Sequence, residues 1–175
     1  MPDTDAYALQ FQSIKEFLDN QTCPYSADEE NYSLKLTLPF GDCQYEMSYW
    51  LTHTGDLMQF SILFPDGPIS AEDRLGVAEI LVRANNMIEF GKLDMDMSTG
   101  IVRFHATHII DEGYLGQGVL NRLSFLGILQ VDIYQTAIRK HLMDGMSPED
   151  VVALTRLDLE MTAEGHFLDE EELDS

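Results

Sequence analysis

Two histidines stand three residues apart in His105-Ala-Thr-His108, and such a pair raises the question of a metal site. On a strand this spacing sends the two imidazoles to opposite faces, whereas a helical ligand pair needs i, i+4. No nearby Cys or third His completes a ligand set, so no metal is expected. Asp94 and Asp96 are two residues apart, which on a strand places them on one face about 7 Å from each other. Paired carboxylates do acid–base work when burial or a like charge lifts one pKa. With Lys92 and Arg103 beside them, pairing of charges across strands is the expected role. Gly113-Tyr-Leu-Gly116-Gln-Gly118 precedes a helix with the glycine content of a phosphate-cradling loop, but it lacks the Lys-Ser/Thr of a P-loop. Cys43 with His53 could form a thiol nucleophile and its base, yet Cys43 opens a strand and nothing in the sequence signals a lowered thiol pKa. No serine-centred nucleophile elbow occurs. The residues therefore predict no catalytic residue, no cofactor and no enzymatic activity.

The elements that would position such groups follow from hydrophobic periodicity. Asp3 or Thr4 caps a first helix running to about Asn20, with Tyr7, Phe11, Ile14, Phe17 and Leu18 on one stripe. Residues 21–30 read as a polar connection. Three strands follow. Leu34, Leu36 and Leu38 alternate with polar residues, then Tyr45, Met47, Tyr49 and Leu51, then Met58, Phe60, Ile62 and Phe64. Ser70 is expected to cap a second helix, with Asp73 closing a capping box. Two further strands carry Leu93, Met95 and Met97, then Val102, Phe104 and Ala106. A long third helix reaches about Asp144-Gly145. Ser147-Pro148-Glu149-Asp150 then opens a short fourth helix expected to end near Arg156. This order predicts an α+β domain over residues 1–157, a five-stranded antiparallel sheet with helices on one face, and an acidic tail over 158–175.

Composition narrows the partners. Among 175 residues, 31 Asp and Glu face 10 Lys and Arg, for a formal net charge of −21. That field opposes phosphate backbones and anionic lipid, so neither nucleic acid nor a membrane is expected as a partner. Hydrophobic residues make up 45% of the chain, enough for a real core without disulfide or metal staples. An acidic N-terminus unlike a signal peptide, and two cysteines read as free thiols, lead to an expected cytoplasmic location.

The third helix is apolar around most of its circumference. Its main face collects Val119, Leu120, Leu123, Leu126, Val131, Tyr134, Ala137 and Ile138. Phe125, Ile128 and Leu129 remain on the far side among Asn121, Arg122, Asp132 and Thr136. They are the preferred candidate interface, covered by another part of the chain, by a second copy, or by a foreign polypeptide. Trp50 and Leu63 fall on the polar face of the sheet and form a second candidate contact, unless a bulge or an overlying segment buries the tryptophan.

The element order in a small acidic chain resembles the fold of type III secretion chaperones. It is closer to the YbjN-like family of bacterial sensory-transduction regulators. The matching residues are Ala84-Asn85-Asn86, the pair Gly91-Lys-Leu-Asp-Met-Asp and Gly100-Ile-Val-Arg-Phe, and Val131-Asp-Ile-Tyr134, within residues 7–142. The resemblance implies a non-enzymatic, homodimeric protein, chaperone-like or regulatory, that binds a polypeptide partner whose identity the sequence does not carry. The alternative is a small-molecule-binding regulatory domain with a pocket between helices and sheet.

Overall fold

Tyr45, Met47, Tyr49 and Leu51 are buried while Gln44 and Glu46 are exposed and Ser48 and Trp50 half-buried, the signature of a sheet covered on one face. The computed structural model describes residues 4–52, 56–110 and 115–171, with side chains from 8 to 161. Its elements are α1 (Thr4–Asn20), β1 (Tyr25–Asp28), β2 (Ser33–Phe40), β3 (Cys43–Leu51), β4 (Leu57–Leu63), α2 (Arg74–Asn85), β5 (Lys92–Met95), β6 (Val102–Ile109), α3 (Gln117–Asp144) and α4 (Pro148–Glu171). The sheet has six strands in the order β1-β2-β3-β4-β6-β5, each neighbouring pair antiparallel.

The sixth strand corrects the expected five. Tyr25–Asp28 pairs with β2 inside the stretch read as a polar connection. As a four-residue edge strand it is exposed at three of its four positions, so it carries no alternating apolar face to read. Two other boundaries move. Ser70 does not cap α2 directly; residues 70–73 form a turn in which Ser70 Oγ donates to the Asp73 carboxylate at 2.7 Å, and the helix starts at Arg74. The helix α4 opens as expected, with the Asp150 N–H donating to Ser147 Oγ at 3.1 Å, but its backbone continues past Arg156 to Glu171.

All the helices that touch the sheet do so on its apolar side. Phe60, Ile62 and Phe104 of the sheet meet α3 at Gly127, where no side chain intervenes. Leu120, Leu123, Val131, Tyr134, Ala137 and Ile138 bury the rest of that helix face. Phe11, Ile14, Phe17 and Leu18 bring α1 into the same core, and Val77, Ile80, Leu81 and Ala84 bring α2. Two tyrosines of β3 fix α3 with their hydroxyls. Tyr45 donates to Asp132 Oδ1 at 3.1 Å, and Tyr49 lies 2.6 Å from Ser124 Oγ, which itself donates to the Leu120 carbonyl. Burial pushes both phenols well above their usual range, so both hydroxyls stay protonated and able to donate at physiological pH.

Candidate functional site

The groups that suggested chemistry are separated by the fold. His105 pairs with Ser61 on the open face of the sheet, while His108 pairs with Met58 on the helix side. Burial lowers the pKa of His105 against the opposing pull of Asp94, whose Oδ2 lies 4.0 Å away. Among the described residues no group of three or more His, Cys, Asp or Glu side chains could hold a metal. Asp94 accepts from Arg103 Nε at 2.7 Å, the pairing across strands expected of it. Asp96, by contrast, lies beyond the end of β5 and shares no strand face with Asp94. It accepts from the hydroxyl and the N–H of Ser98, which bring its pKa down to about 2. That carboxylate orders a turn and is no partner for acid–base work.

Cys43 sits in a polar cluster that the sequence did not reveal. Arg139 grips Asp66 with two parallel hydrogen bonds, Nε to Oδ2 at 2.6 Å and Nη2 to Oδ1 at 2.5 Å. Buried Gln135 also donates to Asp66 Oδ1, at 3.1 Å, and its Nε2 lies 3.6 Å from Cys43 Sγ. Arg139 holds the Asp66 carboxyl below its ordinary range. The guanidinium and the amide both donate here, and neither is a general base. The cluster pins α3 to the loop after β4. Asp3, His53 and Gly113 lie outside the described residues.

The five candidate interface residues fall on two separate surfaces. Trp50 stands on the open sheet face between Ser33 and Gln59, in an unbroken ladder that excludes a bulge. Leu63 is on that face too, opposite Arg103, but the Ser48–Ser61 pair lies between it and the tryptophan. Both are half-buried. Phe125, Ile128 and Leu129 lie on the other side of the molecule, on α3. Phe125 is 64% exposed and Leu129 38%, whereas Ile128 is half-buried and packs against the core. The flanks of α3 are occupied by α1, where Gln117 Nε2 donates to the Ser13 carbonyl, and by α4. A groove of about 270 Å³ between α3 and α4 is bordered by Asp132, Ile133, Thr136, Thr155 and Leu159.

No family model and no curated protein matches this chain. Solved structures do. YbjN from E. coli aligns at 13% identity and a TM-score of 0.54, over 78% of this chain and 94% of that one. The fold is YbjN-like. A protein from Methanothermobacter thermautotrophicus aligns at 14% identity and a TM-score of 0.51, over 74% of this chain and 96% of that one. The HopA1-SchA chaperone-effector complex aligns at 12% identity and a TM-score of 0.48, over 79% and 98% respectively. At such identities the YbjN likeness is one of backbone architecture, so function has to be argued from the residues of this chain.

Proposed function

We propose that this chain is a non-enzymatic protein-binding module, chaperone-like or regulatory, that acts as a homodimer and holds a polypeptide partner in the cytoplasm. The observation that carries the reading is the outward side of α3. A helix whose inner face is buried presents Phe125 at 64% exposure and Leu129 at 38% to solvent, one turn apart. An exposed Phe–Leu pair on a rigid element is the type of anchor that protein interfaces bury. Trp50 and Leu63 supply a second, smaller contact on the open sheet face.

A double variant tests the seam. Phe125→Asp with Leu129→Lys replaces the apolar pair by charges at the two solvent-exposed positions. Light scattering is expected to report a fall from dimer to monomer mass, with the circular dichroism spectrum unchanged. An unchanged mass in a folded double variant removes α3 from the interface.

The second reading, a small-molecule-binding regulatory domain, is favoured by one feature. A hollow of about 440 Å³ lies where the first turn of α3 meets the end of β6, bordered by Phe90, His108, Gly116, Val119, Arg122 and Leu123. It has the apolar walls and the few polar groups of a ligand site, at the junction of helices and sheet.

A further inference from the structure

The outward line of α3 reads Gly118, Arg122, Phe125, Leu129, Asp132, Thr136, and every one of these residues is exposed. The spacing alternates four and three, and at 100° per residue all six fall within about 40° of a single line along the helix. That is the repeat of a coiled-coil seam. Its order has a further property: reversed about the level of Gly127, each residue meets a complementary one. Phe125 faces Leu129, Arg122 faces Asp132, and Gly118 faces Thr136. Run parallel to itself, the same line sets arginine on arginine and aspartate on aspartate.

We infer that the occupant of this face is a second copy of the chain, packed as an antiparallel α3–α3 pair about a two-fold axis level with Gly127, with Arg122 of each protomer paired to Asp132 of the other. This rests on the homodimer proposed above and specifies its seam. The charge pattern selects both the occupant and the direction, because an isologous interface must be complementary to its own image. Asp132 is exposed, and its Oδ1 accepts from the Tyr45 hydroxyl at 3.1 Å. Arg122 projects from an exposed position one turn before Phe125. The two charge pairs flank the Phe–Leu contacts, which suits their role: rim charges fix register and partner choice more than affinity.

The experiment uses two single variants of the full chain, Arg122→Asp and Asp132→Arg, studied alone and mixed. In either variant alone the seam sets like charges against each other twice, and sedimentation should show the dimer weakened by about tenfold. In an equimolar mixture the two variants complement each other. The carboxylate introduced at position 122 of one meets the guanidinium introduced at position 132 of the other, a pair of reversed polarity. The native Asp132 and Arg122 left on the two chains meet as in the wild type. A heterodimer is therefore expected to form within about threefold of the wild-type affinity. Folding of each variant is checked by circular dichroism. Arg122→Asp tests the seam even where Asp132→Arg loses stability with its Tyr45 contact, since Arg122→Glu must weaken the dimer in the same way. A wild-type dimer indifferent to Arg122→Asp and Arg122→Glu overturns the seam while leaving the homodimer standing. A wild-type chain that sediments as a monomer at every concentration overturns both, and leaves the stripe to a helix of another protein.

Discussion

Single residues settle questions here that the patterns leave open, and Asn85 is the clearest. It ends α2, and its side-chain amide meets the free edge of β5: Leu93 N–H donates to Asn85 Oδ1 at 2.8 Å, and Asn85 Nδ2 donates to the Leu93 carbonyl at 2.9 Å. Those two backbone groups point away from β6, where another strand would otherwise pair with them. One amide side chain therefore imitates a neighbouring strand and closes that edge, a hazard that sheets must manage in some way. The physical role gives the Ala84-Asn85-Asn86 segment a meaning that sequence resemblance alone did not. Asn85→Ala leaves a part-buried donor and acceptor unmet, which costs about 1–3 kcal/mol. A urea titration should show that loss as a lower midpoint at unchanged slope, and an unmoved midpoint would mean that water or a neighbour replaces the amide freely.

At the scale of elements, α3 organises the molecule, and Gly127 explains how closely it can approach the sheet. A Cβ at that position would come 2.8 Å from Phe60 Cε1 and 2.9 Å from Ile62 Cδ1, both inside the core. Gly127→Ala gains up to about 1 kcal/mol of helix propensity but forces the helix off the sheet at a cost of about 1–3 kcal/mol. A net loss of about 1 kcal/mol in thermal or urea unfolding is expected; a variant as stable as the parent would show that α3 tilts away without strain. The same comparison shows what was legible beforehand. Strands β2, β3 and β4 were readable because Leu34, Tyr45 and Phe60 begin or sit within clean alternations, and one covered face imposes that period. β1 left no trace because an edge strand with mostly exposed residues has no face to mark. The length of α4 was hidden for a related reason: Leu157, Leu159 and Met161 are all exposed, so over residues 157–161 no buried apolar residue extends the pattern beyond Arg156. The outward residues of α3 were visible as apolar surplus, but only the helix itself separates Ile128, which packs inward, from Phe125 and Leu129. The Asp66–Gln135–Arg139 cluster joins positions far apart in the chain, beyond the reach of any local pattern.

Charge acts on the whole molecule and sets a condition on everything proposed for it. Each chain carries −21, and from Asp158 onward every charged side chain is acidic. Two such bodies with a radius of about 20 Å meet with centres about 40 Å apart. In water each pair of unit charges at that distance repels by only ~0.1 kcal/mol. Summed over both net charges, the repulsion reaches tens of kcal/mol before screening, far more than a Phe–Leu seam and two exposed ion pairs supply. The Debye length falls from about 30 Å at 0.01 M salt to about 8 Å at 0.15 M, which removes most of this long-range term while leaving contact-distance pairs less affected. Association is therefore expected to strengthen with salt: monomer in ~10 mM buffer, dimer at about 0.15 M and above, measured as mass by light scattering at fixed protein concentration. A dimer held mainly by its Arg–Asp pairs would weaken along the same titration, so a mass that falls as salt rises contradicts this account of the balance. The sign matters for a polypeptide partner too. A basic partner gains from the same field at low salt that keeps two copies apart, so the degree of self-association and the capture of a basic client are driven in opposite directions by one variable.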